Sequence, residues 1–224
     1  MKIIFVCGPW GSGTSAVTNM LLRLGSVGLT PYFITSDPKT GNSYESIVFR
    51  KLLLSLASER TFSVQKEKDV VFAEFKKFQD YLRDLVLKSE IDIGRIPIVL
   101  KHALSCLFLE EIDEVFDAQF IFVRRSIDEI EAGRMRRKWA SFFGAEGARK
   151  VFSEMDKFSY LPRQNVFTIE YQGILDDPIG KVENLAAFCG LINDRTQIEF
   201  AVDAVRQHSN YQHKTNSVQK LGSS

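Results

Sequence analysis

The sequence predicts a three-layer α/β fold, in which helices flank both faces of a central, mostly parallel sheet of four to five strands. Two observations predict it. Four short apolar runs rich in β-favouring residues alternate along the chain with segments of helical periodicity, and this alternation is typical of parallel strands joined by right-handed crossovers. The first apolar run also leads through a glycine-rich stretch straight into a helical pattern, as it does in doubly wound sheets.

The N-terminal unit carries the strongest local signal. Residues 2–7, KIIFVC, are almost uninterrupted apolar and β-favouring residues, as expected of a strand buried on both faces. The stretch 8–15, GPWGSGTS, follows, and the helical pattern beyond it closes on Gly25. Glycines in such a loop let backbone N–H groups converge on an anion, and the helix start adds partial positive charge. The unit therefore predicts a phosphate-binding loop.

The glycines of this loop have the spacing of a P-loop. Gly8 and Gly13 are separated by four residues, so the predicted fold is P-loop NTPase-like. Thr14 stands where a nucleoside triphosphatase has its lysine, which argues against ATP with Mg²⁺ as the donor. A P-loop kinase of small molecules or nucleotides stays open as an alternative.

Length and composition bound the class of protein. A chain of 224 residues with 45% hydrophobic content suits one α/β domain spanning residues 1–224. Its 29 basic and 28 acidic residues give no overall field that would attract nucleic acid, so an anion site must be local. Three scattered cysteines predict neither a disulfide framework nor a metal site. With no signal layout and no apolar stretch near the length of a membrane span, we expect a cytoplasmic protein.

The segment after the first helix predicts a loop followed by two helices. Residues 26–42 are rich in Gly, Pro, Ser and Thr and are expected to form a long irregular loop. The apolar pattern of residues 47–56 suits a helix, and residues 60–88 are predicted to form one long amphipathic helix. Its stripe comprises Val71, Phe75, Phe78, Leu82 and Leu85. We expect the loop 26–42 and the helix 60–88 to cover the acceptor side of the site.

Three further apolar runs predict strands at residues 96–101, 119–123 and 165–171, with a last helix over 196–207. Ligands of parallel sheets bind at the carboxyl ends of the strands. The first predicted strand ends on the glycine loop, the second on Lys101 and His102, and the third on Arg124 and Arg125. The sequence thus predicts one anion site at this edge of the sheet.

The loop GPWGSGTS resembles the Gly-x-Pro-(Arg/Lys)-Ser-Gly-Thr-(Ser/Thr) loop of sulfotransferases that use 3′-phosphoadenosine 5′-phosphosulfate (PAPS), and is most similar to their bacterial and phage-like branch. The resemblance implies a P-loop sulfotransferase fold with PAPS as co-substrate. Its 5′-phosphosulfate would bind at Gly11, Ser12, Gly13, Thr14 and Ser15. The basic residue that this family has before Ser-Gly-Thr is replaced by Gly11 here.

Two later segments extend the resemblance. Residues 123–128, VRRSID, resemble the family segment that binds the 3′-phosphate, which assigns Arg124 to that phosphate. The serine of the family pattern falls on Ala132, so Arg136 or Arg137 is expected to assist. Residues 165–190 resemble the family segment Tyr-Glu-x-Leu-x-x-Asp-Pro in order and spacing, a structural match.

The resemblance also suggests catalytic residues. Lys101 is similar to the lysine of the Lys-Thr-His element of cytosolic sulfotransferases, and is the best replacement for the missing loop cation. Two bases stay open: His102, placed at a strand end, and Glu45, whose Asn-Ser-Tyr-Glu stretch resembles the family's Asn-Pro-x-Gly-Tyr-Tyr-Glu segment. A sulfuryl group carries less negative charge than a phosphoryl group and the family works without a metal, so no metal site is expected.

The sequence as a whole therefore predicts a sulfotransferase acting on a hydroxyl or amine of a small molecule or glycan, with no nucleic-acid partner and no membrane span. Two alternatives stay open. One is the P-loop kinase. The other is a catalytically degenerate nucleotide-binding protein, which the glycine at position 11 and the alanine at position 132 would suit.

Overall fold

A computed structural model describes residues 1–35, 42–88, 96–191 and 194–205. Its central sheet has five parallel strands in the order β2-β5-β1-β6-β7. These strands are β1 (Lys2–Cys7), β2 (Val27–Gly28), β5 (Ile98–Lys101), β6 (Asp117–Arg124) and β7 (Val166–Glu170). A small antiparallel hairpin of β3 (Ala57–Ser58) and β4 (Ser63–Val64) lies outside this sheet. The predicted α/β class with four to five parallel strands is confirmed.

Helices connect and cover the strands. They are α1 (Thr14–Arg23), α2 (Ile47–Leu56), α3 (Lys68–Lys88), α4 (Leu109–Val115), α5 (Ile127–Arg137), α6 (Ala145–Phe158), α7 (Tyr171–Asp176) and α8 (Pro178–Cys189). Residues 195–205 form a further helix, α9. No helix within the described ranges is long and apolar enough to cross a membrane.

The two faces of the sheet bury separate apolar clusters, which makes the fold three-layered. Alternate residues of β1 supply both: Ile3 and Phe5 pack with α2, α3, α4 and α6, whereas Ile4 and Val6 pack with α1, α8 and α9. Alternation follows from the pleat of a strand, and burial on both faces explains why the run is apolar throughout.

Local sequence signals fix several helix ends. Gly25 follows the end of α1 with a left-handed φ of 98°, a conformation that glycine adopts without a Cβ penalty. The Asp177 side chain accepts a hydrogen bond from Gly180 N at the start of α8, and Pro178 occupies the first helical position. The Asp-Pro pair in the sequence thus fixes the start of α8.

Three expectations need correction. The predicted loop 26–42 contains the edge strand β2, whose two residues pair only through the backbone with Ile98 and Val99; residues 36–41 lie outside the described ranges. The long helix begins at Lys68 rather than at residue 60, because the hairpin of β3 and β4 precedes it. Leu85 is 37% exposed and does not share the buried stripe of α3. The predicted end of the last helix, residues 206–207, also lies outside the description.

Candidate active site at the carboxyl edge of the sheet

Close packing holds the glycine loop between β1 and α1. Gly13, at the N-cap of α1, has a left-handed φ of 102°, and a Cβ added there would lie 2.2 Å from Cδ2 of Tyr171. A Cβ added at Gly8 would lie 2.6 Å from the carbonyl oxygen of Val123. The loop backbone therefore packs directly on β6 and on the residue that follows β7, and glycine is required at both positions.

The glycine loop and the start of α1 offer polar groups to a ligand. The N–H of Ser12 donates to Pro9 O at 3.1 Å and closes the turn. The first N–H groups of α1 have no acceptor within the helix, and Gly13 has no side chain to cap them. Within the described part of the chain, the fully buried Ser12 Oγ also lacks a hydrogen-bond partner. These groups suit an anion with several acceptor oxygens.

Lys101 reaches the loop from the neighbouring strand. β5 pairs with β1, so the end of β5 lies beside the start of the loop. The buried Lys101 Nζ donates to Ser15 Oγ at 3.1 Å, to Ser43 O at 2.8 Å and to Glu45 Oε1 at 3.0 Å. The structure thus brings together three of the predicted site residues: Lys101, Ser15 and Glu45.

Glu45 is a buried carboxylate held by positive charge. Burial by itself raises the pKa of Glu45, but the charges of Lys101, His102 and Arg50, together with the hydrogen bond from Lys101, outweigh burial and lower the pKa. Its second oxygen lies 3.8 Å from Arg50 Nε. Glu45 is therefore ionised at neutral pH.

His102 lies beside Glu45 and caps a short helix. It is 1% exposed, and its Nδ1 accepts a hydrogen bond of 3.1 Å from Leu104 N at the start of the 3₁₀ helix Ala103–Leu107. Because Nδ1 is the acceptor, the proton of the neutral ring is assigned to Nε2. Nε2 lies 3.3 Å from Glu59 Oε1 and 3.8 Å from Glu45 Oε2. These carboxylates therefore lie near the N–H side of the ring, but Nε2 forms no hydrogen bond within the described part of the chain.

The two arginines at the end of β6 point in different directions. Arg124 pairs with Asp156 and lies 5.2 Å from the centre of the Phe152 ring, so it contacts α6. Arg125 donates from Nη1 to Gly11 O at 3.3 Å, and its guanidinium stacks 4.8 Å from the centre of the Tyr171 ring. The arginine on the loop is thus Arg125, which the sequence analysis did not assign. Successive residues of an extended chain point to opposite sides, so only one of these two neighbouring arginines can face the loop.

Helix α5 brings a second arginine to the same part of the loop. A Cβ added at Gly11 would lie 3.9 Å from Nη1 of Arg137, and the Arg137 guanidinium stacks 4.7 Å from the centre of the Trp139 ring. Arg136 is exposed on α5, as is Ala132. Of the two predicted assisting arginines, the structure therefore places Arg137 near the loop.

An aromatic cluster supports the outer part of the loop. The Trp10 ring lies 4.9 Å from that of Phe143 and 6.3 Å from that of Phe62, centre to centre. Sequence reasoning gave no role to Trp10, because its two ring partners are distant in the chain. The contacts connect the loop to the segment before α6 and to the β3–β4 hairpin.

Two further predictions concern metals and cysteines. In the ranges that the structure describes, no group of three or more His, Cys, Asp or Glu residues is placed to hold a metal ion, and the absence of a metal from the reaction stays a prediction. Cys7, Cys106 and Cys189 are buried free thiols. Burial raises the pKa of Cys189 to about 12, so this thiol is unreactive at neutral pH.

The chain is similar to known proteins in sequence and in fold. A sequence profile described as Sulfotransferase family matches residues 4–195. The fold is similar to the sulfotransferase domain of the Synechococcus PCC 7002 olefin synthase, with TM-score 0.57 and 16% identity, covering 88% of this chain and 76% of that one. It is also similar to a sulfotransferase domain from the curacin biosynthetic pathway, with TM-score 0.54, 15% identity and coverage of 88% and 76%.

A third solved structure with the same fold is the sulfotransferase STF1 from Mycobacterium tuberculosis H37Rv, with TM-score 0.51, 12% identity, and coverage of 90% of this chain and 70% of that one. A comparison with curated protein sequences gave no match. At such identities the structural likeness establishes the fold, which is P-loop NTPase-like as predicted. Because the family profile extends from β1 to the start of α9, the chain belongs to the sulfotransferase family.

Proposed function

We propose that the protein transfers a sulfuryl group from PAPS to a hydroxyl or amine of a small molecule or glycan. One observation carries the proposal: Lys101 Nζ contacts Ser15 of the glycine loop and Glu45 at the same time, at 3.1 and 3.0 Å. A cation that can serve the donor and a carboxylate that can serve the acceptor therefore meet at the end of β5. Sulfuryl transfer needs both groups at one centre.

The loop fits the 5′-phosphosulfate of the donor. The Ser12 hydroxyl, which has no hydrogen-bond partner among the described residues, and the uncapped N–H groups at the start of α1 can donate to the oxygens of this group. Bound there, PAPS would supply the sulfuryl group and the leaving phosphate. Gly11, Gly13 and Thr14 would approach it through the backbone. Arg124 on the 3′-phosphate stays a prediction, and its pairing with Asp156 would have to open for this contact.

Lys101 is proposed to stabilise the leaving group. Sulfuryl transfer, like phosphoryl transfer, passes through a loose in-line transition state in which negative charge grows on the leaving oxygen. An ammonium already next to the loop meets that charge without reorganising. Its present acceptors, Ser43 O and Glu45, fix its position until the donor arrives.

The geometry favours Glu45 over His102 as the base. Glu45 is ionised and can accept a proton, whereas the lone pair of His102 Nδ1 is taken by Leu104 N. A carboxylate with a lowered pKa is a weak base. It suffices here, because the acceptor oxygen becomes strongly acidic as it bonds to sulfur and releases its proton late.

The acceptor is proposed to enter beside Glu45. Phe33 N donates to Glu45 O at 2.7 Å, and the rings of Tyr32 and Tyr44 lie 5.6 Å apart in an edge-on arrangement. The described part of the loop 26–42 thus lies next to the proposed base. Helix α3 instead buries most of its apolar stripe in the core, so we assign the cover mainly to the loop.

Ligand-dependent melting tests the donor. A ligand that binds only the folded protein raises the melting temperature by mass action. We expect a shift with adenosine 3′,5′-bisphosphate and none with ATP and Mg²⁺. A shift with ATP and Mg²⁺ alone would support the kinase alternative. Transfer of labelled sulfate from PAPS to a panel of hydroxyl and amine acceptors then separates an enzyme from a degenerate binder, which would shift with the bisphosphate and transfer nothing.

A further inference from the structure

Gly11 leaves a space in the loop that the neighbouring helix reaches. Its φ of 83° is left-handed, and the nearest atoms to an added Cβ are Arg137 Nη1 and Ile130 Cγ2, both at 3.9 Å. A side chain that began at position 11 would therefore start beside α5. The sulfotransferase loop that this stretch resembles carries a basic residue at this position, so the chain lacks a loop cation where α5 presents a guanidinium.

The position of Arg137 is supported from two sides. Its guanidinium stacks on Trp139 at 4.7 Å. One helical turn earlier, the buried Gly133 lets Nη1 approach to 3.2 Å from the point where a Cβ would sit. The missing side chain at Gly133 and the aromatic ring at Trp139 together direct Arg137 toward the loop rather than into solvent.

Arg125 reaches the same loop residue from the strand. Its Nη1 donates to Gly11 O at 3.3 Å and its Nη2 lies 3.3 Å from Glu129. Its Nε is buried without a hydrogen-bond partner within the described part of the chain. Burial raises the pKa of Tyr171, which packs on Gly13, and the charges of Arg125 and Arg137 offset part of that rise. Two guanidinium groups therefore act on the loop from the β6–α5 unit.

We infer that Arg137, assisted by Arg125, binds the 5′-phosphosulfate side of the donor in place of the missing loop cation, whereas Lys101 keeps its proposed role at the leaving oxygen. The inference rests on the proposed function. It moves Arg137 from the 3′-phosphate, where the resemblance put it, to the opposite end of the nucleotide. In this chain helix α5 would thus supply the positive charge that the related loop carries on its own residue.

A cycle of variants and ligands tests the inference. Arg137→Met removes the charge and keeps an unbranched apolar stem to pack on Trp139. Calorimetric titration would compare adenosine 3′,5′-bisphosphate, adenosine 5′-monophosphate and adenosine 3′-monophosphate. Loss of one charge-assisted contact should weaken the two 5′-phosphorylated ligands by about 10- to 100-fold and leave adenosine 3′-monophosphate unchanged. Equal losses for all three ligands, or a loss confined to the 3′-phosphorylated ones, would overturn the inference.

The second measurement asks whether a cation placed on the loop itself restores the affinity lost in Arg137→Met. In the Arg137→Met background, Gly11→Arg should recover part of the lost affinity for the bisphosphate, whereas Gly11→Ala should not. The two changes share the backbone strain of a left-handed φ, so their difference reports the arginine side chain without that strain. Equal affinities of the two double variants would count against the inference.

Two controls separate the possible failures. Arg195→Ala removes an arginine whose side chain is 87% exposed on α9 and should leave all three affinities unchanged. Helix α9 contacts the end of α1 that is remote from the loop, through the hydrogen bond from Arg23 to Phe200 O. If the unaltered protein binds none of the adenosine phosphates, the proposed function fails. If it binds the bisphosphate and Arg137→Met retains full affinity, only the role of Arg137 fails.

Discussion

Lys101 and Glu45 form a buried ion pair, with 3.0 Å between Nζ and Oε1, at the end of the strand next to the glycine loop. Desolvating two charges is costly unless further hydrogen bonds satisfy them. Lys101 obtains these from Ser43 O and Ser15 Oγ, whereas Glu45 has the further positive charge of Arg50 beside its second oxygen. The pair therefore joins the glycine loop, through Ser15, to the segment that carries Glu45, and each partner positions the other.

Replacing Lys101 by methionine should abolish most of the turnover and retain donor binding. Loss of one group that stabilises transition-state charge costs about 3–4 kcal/mol, or about 10²- to 10³-fold in kcat. We expect the affinity for adenosine 3′,5′-bisphosphate to change far less, because the loop backbone carries that contact. Steady-state kinetics and titration on the same sample would measure both.

The Lys101 variant leaves Glu45 buried without its main partner, so a matched double variant is needed. Lys101→Met combined with Glu45→Gln removes both charges and should regain stability relative to Lys101→Met alone. If Lys101→Met retains turnover within a few-fold of the original rate, Lys101 does not stabilise the leaving group.

Glu45→Gln should destabilise the protein in a pH-dependent manner. Removing one partner of a buried pair costs about 3 kcal/mol, at the lower end of the usual range because Lys101 keeps two other acceptors. The pKa of Glu45 is lower in the folded chain than its ordinary value of 4.5. Its contribution is therefore fully present above pH 4.5 and is lost as pH falls through the lowered folded-state pKa.

Urea unfolding of the original protein and of Glu45→Gln, repeated from pH 7 down to pH 3, would measure this difference. The gap in the free energy of unfolding should be constant from pH 7 to about pH 5 and should close below that range. A gap that instead closes between pH 7 and pH 5 would mean that the Glu45 pKa is raised, and the ion pair would not dominate its environment.

His102→Asn distinguishes a structural histidine from a catalytic one. Asparagine can accept the hydrogen bond from Leu104 N as Nδ1 does, because it is a favoured N-cap residue. We expect kcat to stay within about threefold, since the cap is kept and Glu45 remains in place. His102→Ala lacks the cap and should lose about 1 kcal/mol of stability. A loss of several orders of magnitude in kcat for the asparagine variant would instead assign the base to His102.

The sequence predicted those parts of the fold whose signals are local. The apolar run of β1, the glycines of the loop and the helical spacing of α1 occur in one short segment, and the strand ends follow from parallel pairing. The strand β2 was missed because two residues carry no periodicity and pair through the backbone. The early start assigned to α3 was wrong because residues 60–67 have a helix-compatible composition but end a hairpin.

The directions of the side chains limited how much of the candidate site could be predicted from the sequence. Lys101 and Ser15 were expected at one edge of the sheet and contact each other there, whereas Glu45 was suggested by the family resemblance alone. Arg124 and Arg125 are adjacent in sequence, and only the side on which the loop packs separates them. Glu59, which faces His102 Nε2 at 3.3 Å, comes from the unpredicted hairpin. Contacts of this kind depend on long-range packing that no short motif contains.

Alanine at Gly13 should be far more damaging than alanine at Gly11, although both glycines have a left-handed φ. The backbone cost is common to the two variants, about 1–2 kcal/mol. At Gly11 the nearest atoms to the new Cβ are 3.9 Å away, whereas at Gly13 the new Cβ would lie 2.2 Å from the Tyr171 ring. The ring or the loop must then move, and the start of α1 would be displaced from the anion position.

Urea unfolding of Gly11→Ala and Gly13→Ala isolates this contact, since their difference in the free energy of unfolding contains the clash without the common backbone strain. Gly13→Ala should also weaken binding of adenosine 3′,5′-bisphosphate more than Gly11→Ala does. Adding Tyr171→Ala to Gly13→Ala should recover loop geometry, and with it part of the affinity, despite the loss of a buried ring. Equal stabilities of the two single variants would show that Tyr171 does not hold the loop, and that the glycine at position 13 serves the backbone conformation alone.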